Sequence, residues 1–138
     1  MSHLVMSEFV EKFRDLEKEI ADEKGDFRLF ALVLREEAPN RWDLLVSAPW
    51  ANDDPIEPLK YLADQIKSRV KARDLINLSR IIVLRPSEES VKRLNREFSV
   101  KHGKVEVRDT ELLGRPIKQA FILTSQRRAS RVKHRAVP

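Results

Sequence analysis

Residues Phe27 to Ala48 read FRLFALVLREEAPNRWDLLVSA, and the way this stretch is divided decides the fold. Phe27, Leu29, Phe30, Ala31, Leu32, Val33 and Leu34 form an almost unbroken apolar run. A run of seven or eight residues with aromatic content suits a strand buried on both faces better than an amphipathic helix, which needs polar residues at a 3.6-residue period. Glu36-Glu37-Ala38-Pro39-Asn40 supplies turn chemistry. Trp42, Leu44, Val46 and Ala48 then alternate with Asp43, Leu45 and Ser47, so the chain returns as the second strand of a hairpin with one face less apolar.

Upstream, Ser7 is placed as an N-cap, and Phe9, Val10, Phe13, Leu16, Glu17 and Ile20 follow at helical spacing. A helix is expected over 7–24, ended by Gly25 in a left-handed cap. Downstream, Leu59, Leu62, Ala63, Ile66 and Val70 recur at helical spacing, with Lys60, Lys67, Arg69, Lys71 and Arg73 on the other positions. Leu75 to Ser79 connects this second helix to Arg80-Ile-Ile-Val-Leu-Arg85, a β-branched run read as another central strand. Ser87 is positioned to cap a third helix whose first turn holds Glu88 and Glu89 and whose apolar stripe is Val91, Leu94 and Phe98. His102-Gly103 reads as a turn, Val105 and Val107 as a fourth strand, 111–116 as a further turn, and 117–124 as the last strand. The resulting α-β-β-α-β-α-β-β order implies a single α+β domain over 1–125. Its five-stranded sheet is mixed or mainly antiparallel, with three helices layered on it. No repeat of 20 to 50 residues is present.

The composition bounds the functional classes. The 138 residues are 41% apolar and 36% charged with three glycines, which describes a globular chain able to bury roughly two thirds of its unfolded surface. No apolar run approaches the roughly 20 residues of a membrane span, and Met1 to Glu8 lacks the basic and apolar regions of a secretory signal. A cytoplasmic location is the default expectation; residues 1–6 are read as an N-terminal extension, the first five of them preceding a second start at Met6. With no cysteine, disulfides, thiolate metal sites and cysteine nucleophiles are excluded. The net charge of +5 has one origin. Residues 126–138 carry Arg127, Arg128, Arg131, Lys133 and Arg135 and no acid, and 27 less these 5 leaves 22 basic against 22 acidic residues in 1–125. The body is neutral and the tail is basic.

The densest collection of functional groups is SAPWANDDPIEP, residues 47–58, with three carboxylates, three prolines and a tryptophan. Asp53, Asp54 and Glu57 could converge on a divalent cation, since hard cations take several carboxylate oxygens, but no calcium-loop spacing is present. The local reading places Asp54 as helix cap, Pro55 at the first helical position and Glu57 near the positive end of the helix dipole. Trp50 either closes one end of the core or stands out as a partner contact. A second enzymatic reading sets Asp43 on the second strand against Glu106 and Arg108 on the fourth, in the manner of carboxylates that hold Mg²⁺ for phosphoryl transfer. Alternating charge on a half-exposed strand is equally expected from cross-strand pairing alone. His3, His102 and His134 have no ligand at metal spacing, and no Gly-rich phosphate loop or G-x-S-x-G signature occurs.

These readings lead to a non-catalytic binding or regulatory interaction module without a cofactor, with self-association among its expected modes. The tail residues Arg127, Arg128, Arg131, Lys133 and Arg135, together with Trp50, are the expected contacts to a protein partner or to nucleic acid, the latter through salt-dependent phosphate neutralisation. Base stacking has little support: Tyr61 is the single aromatic residue on the second helix or the tail. Arg127-Arg128-Ala129-Ser130 also suits a basophilic kinase. The alternative from another class is a metal-dependent phosphodiesterase or nuclease using the strand carboxylates.

Overall fold

A computed structural model describes residues 2–51, 54 and 56–127, with side chains from residue 8 onward. The elements are α1 (Ser2–Lys24), β1 (Leu29–Arg35), β2 (Trp42–Ser47), a 3-10 turn (Pro49–Ala51), α2 (Ile56–Arg69), the four-residue α3 (Ala72–Leu75), β3 (Leu78–Val83), α4 (Glu89–Glu97), β4 (Val105–Leu112) and β5 (Arg115–Ser125). The α+β class and the order of the long elements match the sequence reading. The five strands form one mixed sheet in the order β3-β2-β1-β5-β4. The β1–β2, β1–β5 and β4–β5 pairs are antiparallel, and β2–β3 is parallel. That parallel pair exists because α2 carries the chain back between β2 and β3, a crossover that parallel neighbours require.

The sheet is covered on both faces. Phe30, Leu32 and Leu34 of β1 join Leu44 and Val46 of β2 in a core closed by Phe13 and Leu16 of α1 and Leu62 and Ile66 of α2. Alternate residues of the same strands, Leu29, Ala31, Val33 and Leu45, pack on the other face with Val91 and Leu94 of α4 and Ile122 of β5. This is why the run at 29–34 carries no polar alternation: both directions in which a strand residue can point lead into a core. Each large side chain fully buried there is worth about 1.5–3 kcal/mol of hydrophobic free energy. Gly25 ends α1 as expected, with φ +119° and its N–H donating to Ala21 O at 2.9 Å, a backbone state that favours glycine.

Several boundaries move for local reasons. α1 starts at Ser2, so Ser7 lies inside the helix rather than capping it; the preceding Leu4 and Met6 are good helix formers. α4 starts one residue later than a Ser87 cap implies: Glu88 holds the cap position with extended backbone, makes no side-chain cap to the helix, and instead accepts the Arg85 N–H at 2.9 Å. A separate short helix, α3, follows α2 where the sequence reading has one continuous helix and a connection. The expected turn at 111–116 shrinks to the two-residue loop Leu113-Gly114 between paired Leu112 and Arg115. Both loop residues have positive φ, +57° and +74°, as a type I′ hairpin turn requires.

Two strands differ from expectation in a way that bears on function. The whole of β2 is buried, including Asp43, rather than half-polar. β3 is an edge strand, not a central one, and none of its six residues is fully buried. Apolar content reports burial of a strand's faces and says little about its edges, so a run flanked by helices above and below looks central wherever it sits.

Candidate functional site

The two sheet edges are built differently. β4 carries Glu106, Arg108, Asp109 and Glu111, and Asp109 sits at φ +49°, interrupting the extended backbone. Charges and irregular backbone are the usual means by which an edge is kept from pairing with another chain. β3 has a register shift between its Leu78 and Arg80 pairings and one charge, Arg80, in its first half; Ile81-Ile82-Val83 carries neither, and the register with β2 is regular from Asp43–Arg80 through Val46–Val83. The Leu84 N–H donates to Val46 O at 2.8 Å. Because successive strand residues address opposite edges, Ile82 and Leu84 face β2, while the N–H and C=O groups of Ile81 and Val83 point away from the sheet.

The flanking helix extends this edge into an apolar strip. Tyr61 of α2 points to α1, where its hydroxyl donates to Glu23 Oε1 at 2.8 Å. Burial and that bond to a carboxylate push the Tyr61 phenol up to about 12. Leu59 and Ile56 lie roughly 140–160° around the helix from Tyr61 at 100° per residue, on the flank turned from α1 toward the β3 side. Ile56 is 61% exposed, Leu59 40%, and Ile76, just before β3, 71%. Three of the four exposed large hydrophobic residues among those described thus border one edge strand; the fourth is Leu113 in the β4–β5 turn. Partly buried Ile81 and Val83 pack on the face that carries α1 and α2, and Ile82 and Leu84 on the opposite face, which carries α4, so the edge is apolar on both sides. A continuous apolar border on an unprotected edge can take up a further strand through backbone hydrogen bonds.

A second cluster joins distant segments. Nδ1 of His102 lies 2.6 Å from Oε1 of Glu17, and Oγ1 of Thr124 donates to Glu17 Oε2 at 2.8 Å. The same Thr124 hydroxyl accepts the His102 backbone N–H at 3.0 Å, and Arg14 Nη2 donates to His102 O at 3.2 Å. His102 itself has φ +53°. Burial raises the Glu17 carboxyl above its ordinary value; the His102 and Thr124 bonds pull the other way, and nearby Asp26, itself 3.3 Å from Lys101 Nζ, adds to the rise. The arrangement pins α1 to β5 and to the turn before β4. Among the described residues, no group of three or more His, Cys, Asp or Glu side chains could hold a metal ion.

Asp43 lies at the centre of a third cluster. Its Oδ2 accepts from Arg35 Nε at 2.9 Å and Arg80 Nη2 at 2.8 Å, while Arg35 also reaches Glu37 at 2.7 Å. The Asp43 hydrogen bonds raise the Arg80 guanidinium further above its ordinary value. The network joins three adjacent strands and compensates a buried carboxylate. Glu106 is not part of it. Leu44 and Asp43, neighbours on β2, point to opposite faces; Leu44 pairs through Leu32 and Phe121 to Glu106, which places Asp43 and Glu106 on opposite faces of the sheet. Glu106 is exposed and bonded to Gln119 at 2.6 Å and Arg108 at 2.7 Å, and these bonds lower its carboxyl, Gln119 foremost.

In SAPWANDDPIEP, Asp54 Oδ1 accepts the Ile56 N–H at 3.0 Å and so serves the start of α2. Glu57 is exposed in the first turn of that helix, and Asp53 lies outside the described residues. Trp50 is half-buried. Its Nε1 donates to Gly25 O at 3.1 Å, and its ring meets Phe27 and Tyr61 edge-on, at 5.6 and 6.1 Å between centroids. Arg127 is exposed at the end of the described chain, whereas Arg128, Arg131, Lys133 and Arg135, with the Ser130 motif, lie outside it. Gln126, the first residue of the tail, is tied to the body: its N–H donates to Arg28 O and its Nε2 to Phe27 O. An open cleft of about 450 Å³ lies between α4 and the β4–β5 turn, lined in part by Arg93, Leu94, Glu97 and Leu112.

No protein-family model, curated protein or solved structure matches the chain.

The sequence reading did not single out Glu17, His102 or the β3 edge. One signal was available for the first: Glu17 occupies a position on the apolar stripe of α1, where an acid needs a buried partner. His102 and Thr124 could not be matched to it, because they lie 85 and 107 residues away along the chain.

Proposed function

We propose that the protein is a non-catalytic interaction module that receives a polypeptide segment, in extended form, along the outer edge of β3. The observation that carries this reading is the convergence of Ile56, Leu59 and Ile76 on an edge strand whose Ile81-Ile82-Val83 segment has no protecting charge or bulge. Main-chain hydrogen bonds to Ile81 and Val83 would supply affinity, and side chains entering between α2 and β3 would supply selectivity. The reading is favoured over a strand-carboxylate enzyme because Asp43 is already saturated by two arginines and faces away from Glu106. The basic tail, which holds the charge excess of the chain, serves in this reading as an auxiliary contact to an acidic part of the partner or to nucleic acid.

The test is selection of extended peptides from a random displayed library on the full-length protein, followed by binding to two variants. Ile81→Pro removes an outward N–H and obstructs the edge, whereas Glu106→Ala lies on the opposite edge strand. Selected peptides are expected to lose binding to Ile81→Pro and keep it with Glu106→Ala. Peptides that bind all three proteins equally, or a selection that enriches none, overturn the edge reading. Removing residues 128–138 and comparing retention on mixed DNA and RNA at two salt concentrations tests the tail separately; equal, negligible retention removes nucleic acid from its role.

A further inference from the structure

Resting on the β3-edge reading, we infer that the segment received is β3 of a second copy of this chain, paired antiparallel about a two-fold axis at Ile82, so that two five-stranded sheets become one continuous sheet.

The register follows from the edge chemistry. Only Ile81 and Val83 of the regular segment turn their backbone groups outward, as the Leu84 N–H bond to β2 establishes by alternation. Centring the dyad on Ile82 sets Ile81 of each copy opposite Val83 of the other. Each of these two pairs exchanges two backbone hydrogen bonds, and the two Ile82 residues meet as a close non-hydrogen-bonded pair. In this register Arg80 faces Leu84 and Ser79 faces Arg85 of the second copy, so no like charges stand opposite each other and β-branched residues meet β-branched residues.

The charge around the edge is complementary to itself in this sense of pairing alone. The approach to β3 contains exposed Lys71 and Arg73 with Asp74, and the exit contains exposed Arg85 followed by Glu88 and exposed Glu89, so the approach is net basic and the exit net acidic by one charge each. Antiparallel pairing lays the net-basic approach of each copy, Asp74 included, beside the net-acidic exit of the other, Arg85 included; parallel pairing would set like net charges side by side. Arg80 does not oppose the approach, because its charge is engaged by Asp43. The apolar strip is likewise doubled, with Ile56, Leu59 and Ile76 flanking the new strand pair from both copies.

The experiment uses the full chain, whose lack of cysteine makes crosslinking free of background. Ile82→Cys places two thiols at a Cα separation of about 4.5 Å in the inferred register, within the range a disulfide spans. Ser79→Cys places its two thiols about 20 Å apart, six residues out of register. Mild oxidation is expected to give covalent dimer at least roughly tenfold faster for Ile82→Cys than for Ser79→Cys. Sedimentation equilibrium up to about 200 μM is expected to show a dimer that Ile81→Pro converts to a monomer with unchanged far-UV circular dichroism. Equal crosslinking rates, or a dimer that survives Ile81→Pro, place any association elsewhere and overturn the inference. A wild-type monomer at the highest concentration also overturns it; if selected peptides still require an intact β3 edge, the edge reading stands with a different occupant, and if they do not, both fall.

Discussion

The imidazole of His102 donates to or accepts from Glu17 across 2.6 Å, between an α1 side chain and a turn 85 residues later. This bond and the Thr124 hydroxyl are the direct partners of a carboxylate that has no solvent exposure. Its proton affinity is raised, with burial as the main cause. A folded-state value above the unfolded one near 4.5 means that the folded protein gains stability from protonation as pH falls through the raised value. The gain is complete below about 4.5 and lost at higher pH. Glu17→Gln keeps an acceptor for Thr124 but cannot titrate. The stability of the wild type relative to this variant is therefore expected to rise as pH is lowered from neutral toward 4.5 and then to level off, measured by urea unfolding at each pH. A difference that stays flat over this window contradicts the assignment.

Asp43 and Glu106 give a matched contrast, two strand carboxylates each paired with arginine but differing in burial. Asp43→Ala leaves Arg35 and Arg80 without their shared acceptor; Arg80 can rehydrate and Arg35 retains Glu37, so the expected loss is about 2–3 kcal/mol of unfolding free energy. Glu106→Ala is expected to leave the urea midpoint unchanged within error, because its partners Arg108 and Gln119 are also solvent-accessible. Equal effects of the two substitutions would contradict the burial difference.

Leu113 adopts φ +57° in the hairpin turn before Gly114. A branched side chain there costs conformational energy that Asn or Gly avoids. Leu113→Asn is expected to stabilise the protein by about 0.5–1 kcal/mol, seen as a higher melting temperature in calorimetry. A lower melting temperature would show that the exposed Leu113 side chain contributes more through contacts than its backbone costs.

Trp50 closes the end of the core where α1 gives way to β1. Trp50→Phe preserves an aromatic ring against Phe27 and Tyr61 but removes the donor to Gly25 O. The expected cost is about 1–2 kcal/mol in urea unfolding, with undiminished binding of edge-selected peptides. Loss of peptide binding without loss of stability would instead make Trp50 a contact residue.

Much of the fold was legible in local patterns. The period of α1, the double-sided apolar run of β1 and the turn residues after it report the environment of each segment directly, because helix and strand geometry dictate which residues share a face. The function of SAPWANDDPIEP as a helix start was readable for the same reason: Asp54 and Ile56 are two residues apart, and a cap is a local hydrogen bond. Legibility fails where the same chemical pattern serves two environments. Asp43 in an alternating strand reads as solvent-facing, yet Arg35 and Arg80 from both neighbouring strands enclose it.

The sequence by itself determined the class of fold, the order of the long elements, the neutrality of the body and the location of the charge excess in the tail, since each depends on residues close together in the chain or on composition. Only the tertiary structure decided that β3 lies at an edge, that Glu17 meets His102 and Thr124, and that Asp43 and Glu106 face opposite ways. Strand order and long-range pairing depend on which buried faces can be satisfied together, and residues tens of positions apart carry no local record of that choice.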